Sequence, residues 1–211
     1  MIKLNGTAHM AIGATAGLIT SNTFQTDPTT TAILIGCGGV AGLLPDMDID
    51  GKLSNTITFS HKLIRTLAQL VGVLAIIYSL IDRDAAEKWY GVAIGLVLIV
   101  GSSFITRRLM LSLSGIGVLA GGLTLSENWL FLLGVYILIA SLVPHRSYTH
   151  SIVGTAFFVI IAYQFENFLG IDGVFVSCFI GYASHLIADM KLLPVNKRGI
   201  KLFLPLSKKE F

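Results

Sequence analysis

The sequence has 211 residues, of which 54% are hydrophobic and 13% charged, with a formal net charge of +3 at pH 7 and a mean hydropathy of +0.77. These values exclude an ordinary soluble domain and predict an integral membrane protein. The two cysteines lie in apolar runs, where a disulfide framework is not expected. We expect a single domain over residues 1–211 and no nucleic-acid partner.

Two apolar runs open the chain, at residues 7–21 and 29–45, and both are rich in glycine. Each is shorter than the roughly 20 residues that cross the hydrocarbon of a bilayer. They therefore fit two crossings, a re-entrant segment or a helical hairpin that is buried against other helices.

Six further runs approach the length of a membrane-spanning helix. They are residues 66–81, 89–106, 109–125, 129–143, 151–168 and 173–189. Together with the first two runs, they predict an all-α fold, namely a polytopic membrane helical bundle of about eight apolar segments.

The positive charges indicate the orientation, because Lys and Arg in short loops concentrate on the cytoplasmic side of a membrane. With the N-terminus inside and an even number of crossings, all but two of the 15 Lys and Arg residues lie on that side. The exceptions, Arg83 and Lys88, share the opposite loop with three acidic residues. We therefore expect a multi-pass protein of the inner (plasma) membrane.

Four G-x-x-x-G spacings occur in these runs, and such spacings let helix backbones approach closely in lipid. They are Gly13 with Gly17, Gly38 with Gly42, Gly91 with Gly95, and Gly117 with Gly121. We interpret them as helix-packing contacts.

Histidine and aspartate residues gather at the cytoplasmic ends of four separate segments. The segment LLPDMDID, residues 43–50, ends the second run, and HRSYTH, residues 145–150, precedes the seventh. In the last run His185 and Asp189 are four residues apart, and therefore on one face of a helix. The candidate metal ligands are His9, Asp46, Asp48, His145, His150, His185 and Asp189.

The chemistry of this set predicts a divalent metal site. Imidazole nitrogen and carboxylate oxygen without thiolate suit zinc, our first expectation, and also manganese, iron or nickel. Six or seven such ligands can hold one or two ions. A cation with an open coordination position activates water, so hydrolysis is the simplest use of the site. Asp48 or Asp189 would accept a proton where it is not a ligand.

The start of the seventh helix suits an anionic substrate. Arg146 can bind a phosphate or carboxylate through two parallel hydrogen bonds, so we assign it to the substrate. Thr149 or Ser151 is expected to cap this helix, whose N-terminal amides carry partial positive charge. At the cytoplasmic leaflet the substrate would be an amphiphile such as a phospholipid or another lipid ester or phosphoester.

Each part of the set also has a simpler interpretation. The aspartates of residues 46–50 fit a solvated loop, His145 and His150 fit an interfacial loop, and Asp189 fits an ion pair with a neighbouring Lys or Arg. By contrast, His185 lies in an apolar run, where an ionisable group is costly and indicates function. Because four segments bring such residues to one membrane face, we favour a single metal site.

The motifs resemble the YdjM-like family, which comprises LexA-regulated inner-membrane proteins described as metal-dependent hydrolases. The matching segments are H-x-x-x-G from His9, LLPDMD at 43–48, HRSYTHS at 145–151, GYASHLIADM at 181–190 and GIKLFLP at 199–205. Members often carry His directly after P-D-x-D, where this chain has Ile49. The resemblance implies a membrane-bound, metal-dependent hydrolase.

Two other functions fit the same residues. An ion- or proton-coupled transporter would place ionisable groups through the depth of the membrane, whereas the later apolar runs contain few of them. A non-catalytic protein with a structural metal would need a closed coordination shell. The leading hypothesis is a metal-dependent hydrolase that acts at the cytoplasmic leaflet.

Overall fold

A computed structural model describes residues 5–47, 60–82, 85–144, 146–191 and 199–211. Eight α-helices lie within these ranges, and they are α1 (Gly6–Thr23), α2 (Pro28–Ala41), α3 (His61–Asp82), α4 (Ala85–Ser103), α5 (Arg107–Leu125), α6 (Asn128–Leu142), α7 (Ile152–Leu169) and α8 (Val174–Asp189). Two short 3₁₀ turns, Leu44–Met47 and Tyr148–His150, follow α2 and precede α7.

Each of the eight apolar runs in the sequence corresponds to one of these helices, and no strand occurs in the described ranges. The predicted all-α membrane fold is therefore confirmed. Three helices, α3, α5 and α7, are long and apolar enough to cross a membrane, while α2, α4, α6 and α8 are shorter apolar helices.

Capping residues fix where the first two helices begin. The Asn5 side chain accepts a hydrogen bond from the Ala8 N–H at 3.0 Å. Asp27 accepts from the Thr29 N–H at 2.8 Å and precedes Pro28, the first residue of α2. A side-chain acceptor satisfies amides that have no partner within the helix, and proline at the first position lacks such an amide.

The chain divides into two compact units. The first comprises residues 1–57 and 111–211, and the second comprises residues 58–110. In the second unit, α3 and α4 pack where Gly72 and Gly95 meet, since a Cβ on either would lie within 2.7 Å of the other's carbonyl oxygen. That the two units form a single domain stays a prediction.

In the first unit, α1, α2 and α8 meet at Gly38. A Cβ on Gly13 of α1 or on Gly181 of α8 would overlap the Gly38 carbonyl oxygen. Because only glycine allows this approach, the backbones of the three helices touch directly. The packing role predicted for Gly13 with Gly17 and for Gly38 with Gly42 is therefore confirmed. A Cβ on Gly17 or on Gly42 would also overlap a backbone carbonyl oxygen of the neighbouring helix.

The packing interpretation is wrong for Gly117, because a Cβ there would have no heavy atom of the described residues within 4 Å. A Cβ on Gly121 would meet the end of a leucine side chain of α6 at 3.6 Å, an ordinary van der Waals contact. Instead, Gly115 and Gly122 of α5 contact the backbone of α6. These two residues are seven apart, hence on one face two helical turns from each other.

Candidate metal centre

Two buried histidines form the middle of the predicted site. His150 comes from the 3₁₀ turn before α7 and His185 from α8, and both have no exposed surface. Their Nε2 atoms lie 3.3 Å apart. Two segments 35 residues apart in sequence therefore direct the same ring atom to one point.

Hydrogen bonds at the other ring nitrogens orient these two imidazoles. His185 Nδ1 lies 2.7 Å from the carbonyl oxygen of Gly42, which can only accept, so Nδ1 donates and Nε2 is left to act as a ligand. His150 Nδ1 lies 3.1 Å from the Thr149 hydroxyl. Such outer contacts fix the tautomer and ring orientation in metal-binding histidines.

Two carboxylates complete the cluster. Asp46 Oδ1 lies 3.4 Å from His150 Nε2 and 3.6 Å from His185 Nε2. Asp189 Oδ2 lies 3.7 Å and 3.8 Å from the same two nitrogens. Asp46 reaches this position because α2 ends before Pro45 and the chain turns, whereas Asp189 follows His185 by about one helical turn.

The donor set fits a divalent cation. Four ligand atoms, one from each of Asp46, His150, His185 and Asp189, lie within 4.8 Å of one another. A tetrahedral shell with ligand distances of about 2.0–2.1 Å has edges of about 3.3–3.4 Å, close to the contacts in this cluster. Asp46 Oδ1 is also buried without a hydrogen-bond partner in the described part of the chain. A cation bound there would compensate for the missing partner of this oxygen.

The electrostatics of Asp46 favour its anionic form. Burial raises the pKa of this carboxyl group, but the adjacent His150 and His185 rings outweigh that effect and hold the pKa below its usual range. Asp46 is therefore a carboxylate at neutral pH, as a ligand for a cation must be.

Arg146 reaches the edge of the cluster and pairs with Asp189. One guanidinium nitrogen lies 2.8 Å from Asp189 Oδ2, and the Arg146 side chain is 21% exposed. Its backbone has a φ of +58°, in the left-handed region that non-glycine residues rarely adopt. This contact agrees with the simpler interpretation of Asp189, namely an ion pair with a neighbouring Lys or Arg. Arg146 therefore lies between the buried cluster and the surface of its unit.

His9 lies beside the cluster. Its ring stacks on His185 with centroids 3.9 Å apart. Its Nε2 is 3.6 Å from Asp189 Oδ1, whereas His150 is paired with the other oxygen of that carboxylate. Of the other predicted site residues, Asp48 and His145 lie outside the described residues. The structure thus brings five of the seven predicted metal ligands close together, with Arg146 beside them. The five are His9, Asp46, His150, His185 and Asp189.

A buried tyrosine pair, which was not among the predicted site residues, supports the turns that carry the candidate ligands. The Tyr182 hydroxyl donates to the Thr149 carbonyl oxygen and lies 3.1 Å from the Tyr136 hydroxyl. That hydroxyl in turn lies 3.4 Å from the Leu44 carbonyl oxygen. The available signal was a tyrosine in each of two apolar helices, since a buried hydroxyl needs a partner.

The C-terminal segment also holds the start of α7. Ser151, rather than Thr149, caps this helix by accepting from the Gly154 N–H at 3.2 Å. The next N–H, of Ile152, donates to the Leu202 carbonyl oxygen at 2.9 Å. Residues 199–205, which belong to one of the matching motifs, therefore contact the helix that follows His150.

The family model described as YdjM inner membrane protein matches residues 4–211, nearly the whole chain. Comparisons with curated proteins and with solved structures give no match.

Proposed function

The chain belongs to the YdjM inner membrane protein family, and we propose that it is a metal-dependent hydrolase that cleaves a lipid ester or phosphoester at the cytoplasmic leaflet. The observation that carries this proposal is the buried convergence of Asp46, His150, His185 and Asp189. Such a cluster is costly to bury in a membrane protein unless a cation or a function compensates for it.

Three of the four donors are the better ligands. Asp46, His150 and His185 form a triangle with edges of 3.3–3.6 Å, whereas Asp189 is farther from both histidines and is paired with Arg146. Two histidines and one carboxylate that leave a position open are typical of catalytic zinc sites. When bound, the cation would polarise the scissile bond and lower the pKa of a water.

Asp189 is the proposed proton acceptor. Its Oδ2 lies beside the ligand triangle but is held by the Arg146 guanidinium, so it is available as a base without being a ligand. During hydrolysis the water oxygen bonds to the phosphorus or acyl carbon as the ester bond breaks. Asp189 takes the water proton and returns it to the leaving oxygen.

Arg146 is proposed to bind the negative charge of the substrate. A guanidinium has five N–H donors, so pairing with Asp189 is compatible with an additional anion. Its partial exposure, in contrast with the complete burial of His150 and His185, favours contact with an incoming headgroup.

We expect Asp189→Asn to keep the metal and to lose about 10²–10⁴-fold in rate, the usual contribution of a general base. The measurement is hydrolysis of a panel of lipid phosphomonoesters, phosphodiesters and acyl esters by zinc-loaded protein, together with its metal content.

In the same assay, Arg146→Ala should lose roughly 2–4 kcal/mol of transition-state stabilisation. Arg146→Lys should recover part of that loss.

Lys191→Ala is the matched control, because Lys191 lies two residues from Asp189 yet is exposed and pairs with Glu210. It should behave as wild type. If the zinc-loaded wild type cleaves no member of the panel, the hydrolase assignment fails.

The same geometry gives a second candidate, a structural metal. If Asp189 is a fourth ligand, the shell is closed, as in structural zinc sites. Asp189→Asn separates the two functions, since a closed shell predicts loss of metal and of thermal stability in this variant, whereas the catalytic assignment predicts loss of rate alone.

The orientation is proposed from the distribution of Lys and Arg, which places the cluster on the cytoplasmic side. In a variant without the native cysteines, Asn128→Cys at the start of α6 should react with a membrane-impermeant maleimide in intact cells. Lys209→Cys, in the segment that contacts the start of α7, should react only after permeabilisation. The reverse pattern would put the site outside.

A further inference from the structure

An apolar cavity of about 530 Å³ lies in the first unit, between α2, α5, α6, α7 and α8. Its walls include Ile33, Val118, Leu133 and Phe158, and no charged side chain lines it in the described part of the chain. Its volume is in the range of small-molecule sites, roughly 300–1,000 Å³. A charged or strongly polar ligand would lose hydration there without compensation.

The cavity adjoins the metal centre. Leu44 and Met47 both line it, and they belong to the same short turn as Asp46. Phe158 lines it as well and stacks on Tyr182 with centroids 4.6 Å apart, and the Tyr182 hydroxyl holds the turn that carries His150. One end of the cavity is therefore built from residues that position the ligands.

Aromatic side chains line the opposite end of the cavity. Along α6 the lining residues run from Ile137 back to Trp129, an axial distance of about 12 Å at 1.5 Å per residue. Trp129 packs on Phe165 of α7 with centroids 4.7 Å apart. The apolar lining thus extends from the turn beside the metal centre along α6 to Trp129.

We propose that this cavity binds one hydrocarbon chain of the lipid whose headgroup reacts at the metal centre, with Trp129 setting the longest chain that fits. This inference rests on the proposed hydrolase function and gives its substrate class, a single-chain or chain-selected lipid ester. The cavity would recognise the hydrocarbon chain of the substrate, and the His and Asp cluster would act on its headgroup. The Leu44–Met47 turn lies between them, since it lines the cavity and carries Asp46.

The test uses alkyl phosphates of increasing chain length and full-length protein in nanodiscs of fixed lipid composition. In the wild type, kcat/KM should rise with chain length and then fall once the chain exceeds the depth of the cavity. Leu133→Trp, which fills the cavity, should lower kcat/KM for the preferred chain at least tenfold, since a pocket discriminates about 10–200-fold for one methylene. Its metal content should not change, and its rate with the shortest chain should fall less than its rate with the preferred chain.

Two further variants sharpen the result. Trp129→Ala should move the optimum to longer chains. Ile139→Trp, on an exposed face of the same helix and outside the cavity, should leave the chain-length profile as in wild type. An unchanged profile in both Leu133→Trp and Trp129→Ala would overturn the chain site while leaving the hydrolase function intact.

A binding experiment distinguishes failure of the two proposals. An alkyl phosphate with a photoreactive diazirine at the chain end should label residues near Trp129 and Phe165 in the wild type and lose that labelling in Leu133→Trp. Labelling there without hydrolysis of any substrate would overturn the hydrolase function but support the chain site. Hydrolysis with labelling only elsewhere would overturn the chain site.

Discussion

Replacing His185 by alanine is expected to abolish metal binding and to reduce the proposed hydrolysis at least about 100-fold, because even loss of an outer-shell partner typically costs 10–100-fold in metal affinity or activity. His185 Nε2 lies at the centre of the cluster, 3.3 Å from His150 Nε2 and 3.6 Å from Asp46 Oδ1. Its loss removes a ligand and leaves two carboxylates without that partner. Elemental analysis of protein purified after expression with excess zinc measures the metal directly.

Since His185 is fully buried, the alanine variant also creates a cavity, and a second variant is needed. His185→Gln preserves most of the volume and a donor for the Gly42 carbonyl oxygen, so it should retain helicity while losing metal. His61→Ala is the control, because His61 lies at the start of α3 and outside the four-residue cluster. Equal metal content in wild type and both His185 variants would show that this cluster does not hold the metal.

Replacing Gly38 by alanine is expected to destabilise the protein, whereas the same change at Gly36, in the same helix, should stabilise it slightly. A Cβ on Gly38 would overlap the Gly13 carbonyl oxygen and lie 2.9 Å from Ser177 Oγ, so α1, α2 and α8 would have to separate. Overpacking of this kind costs about 1–3 kcal/mol or more. A Cβ on Gly36 would meet no heavy atom of the described residues within 4 Å, which leaves the helix-propensity gain of about 0.8–1 kcal/mol.

Thermal midpoints of the two purified variants in one detergent test this pair, and they should shift in opposite directions. Gly38→Ala should also weaken zinc binding, because α2 carries the Gly42 carbonyl oxygen that orients His185 and leads directly into the turn that holds Asp46. Equal midpoints for the two variants would mean that the glycine contact at Gly38 does not hold the three helices together.

The sequence by itself determined that the protein is an all-α membrane protein and which segments form its helices. Apolar runs specify helices in a membrane because backbone groups there must be satisfied within the segment, and all eight runs are helices. Local spacing also determined that His185 and Asp189 share a face, since four residues make about one turn. The glycine pairs were informative only where another backbone approaches, which the spacing alone does not specify, as Gly117 shows.

Only the tertiary structure decided which of the candidate residues meet and what each one contacts. The Gly42 carbonyl oxygen that orients His185, the pairing of Arg146 with Asp189, and the stacking of His9 on His185 join segments far apart in the chain. The apolar cavity next to Asp46 likewise depends on five helices packing together. Composition and periodicity describe one helix at a time, whereas these contacts depend on the relative positions of several helices, which packing alone determines.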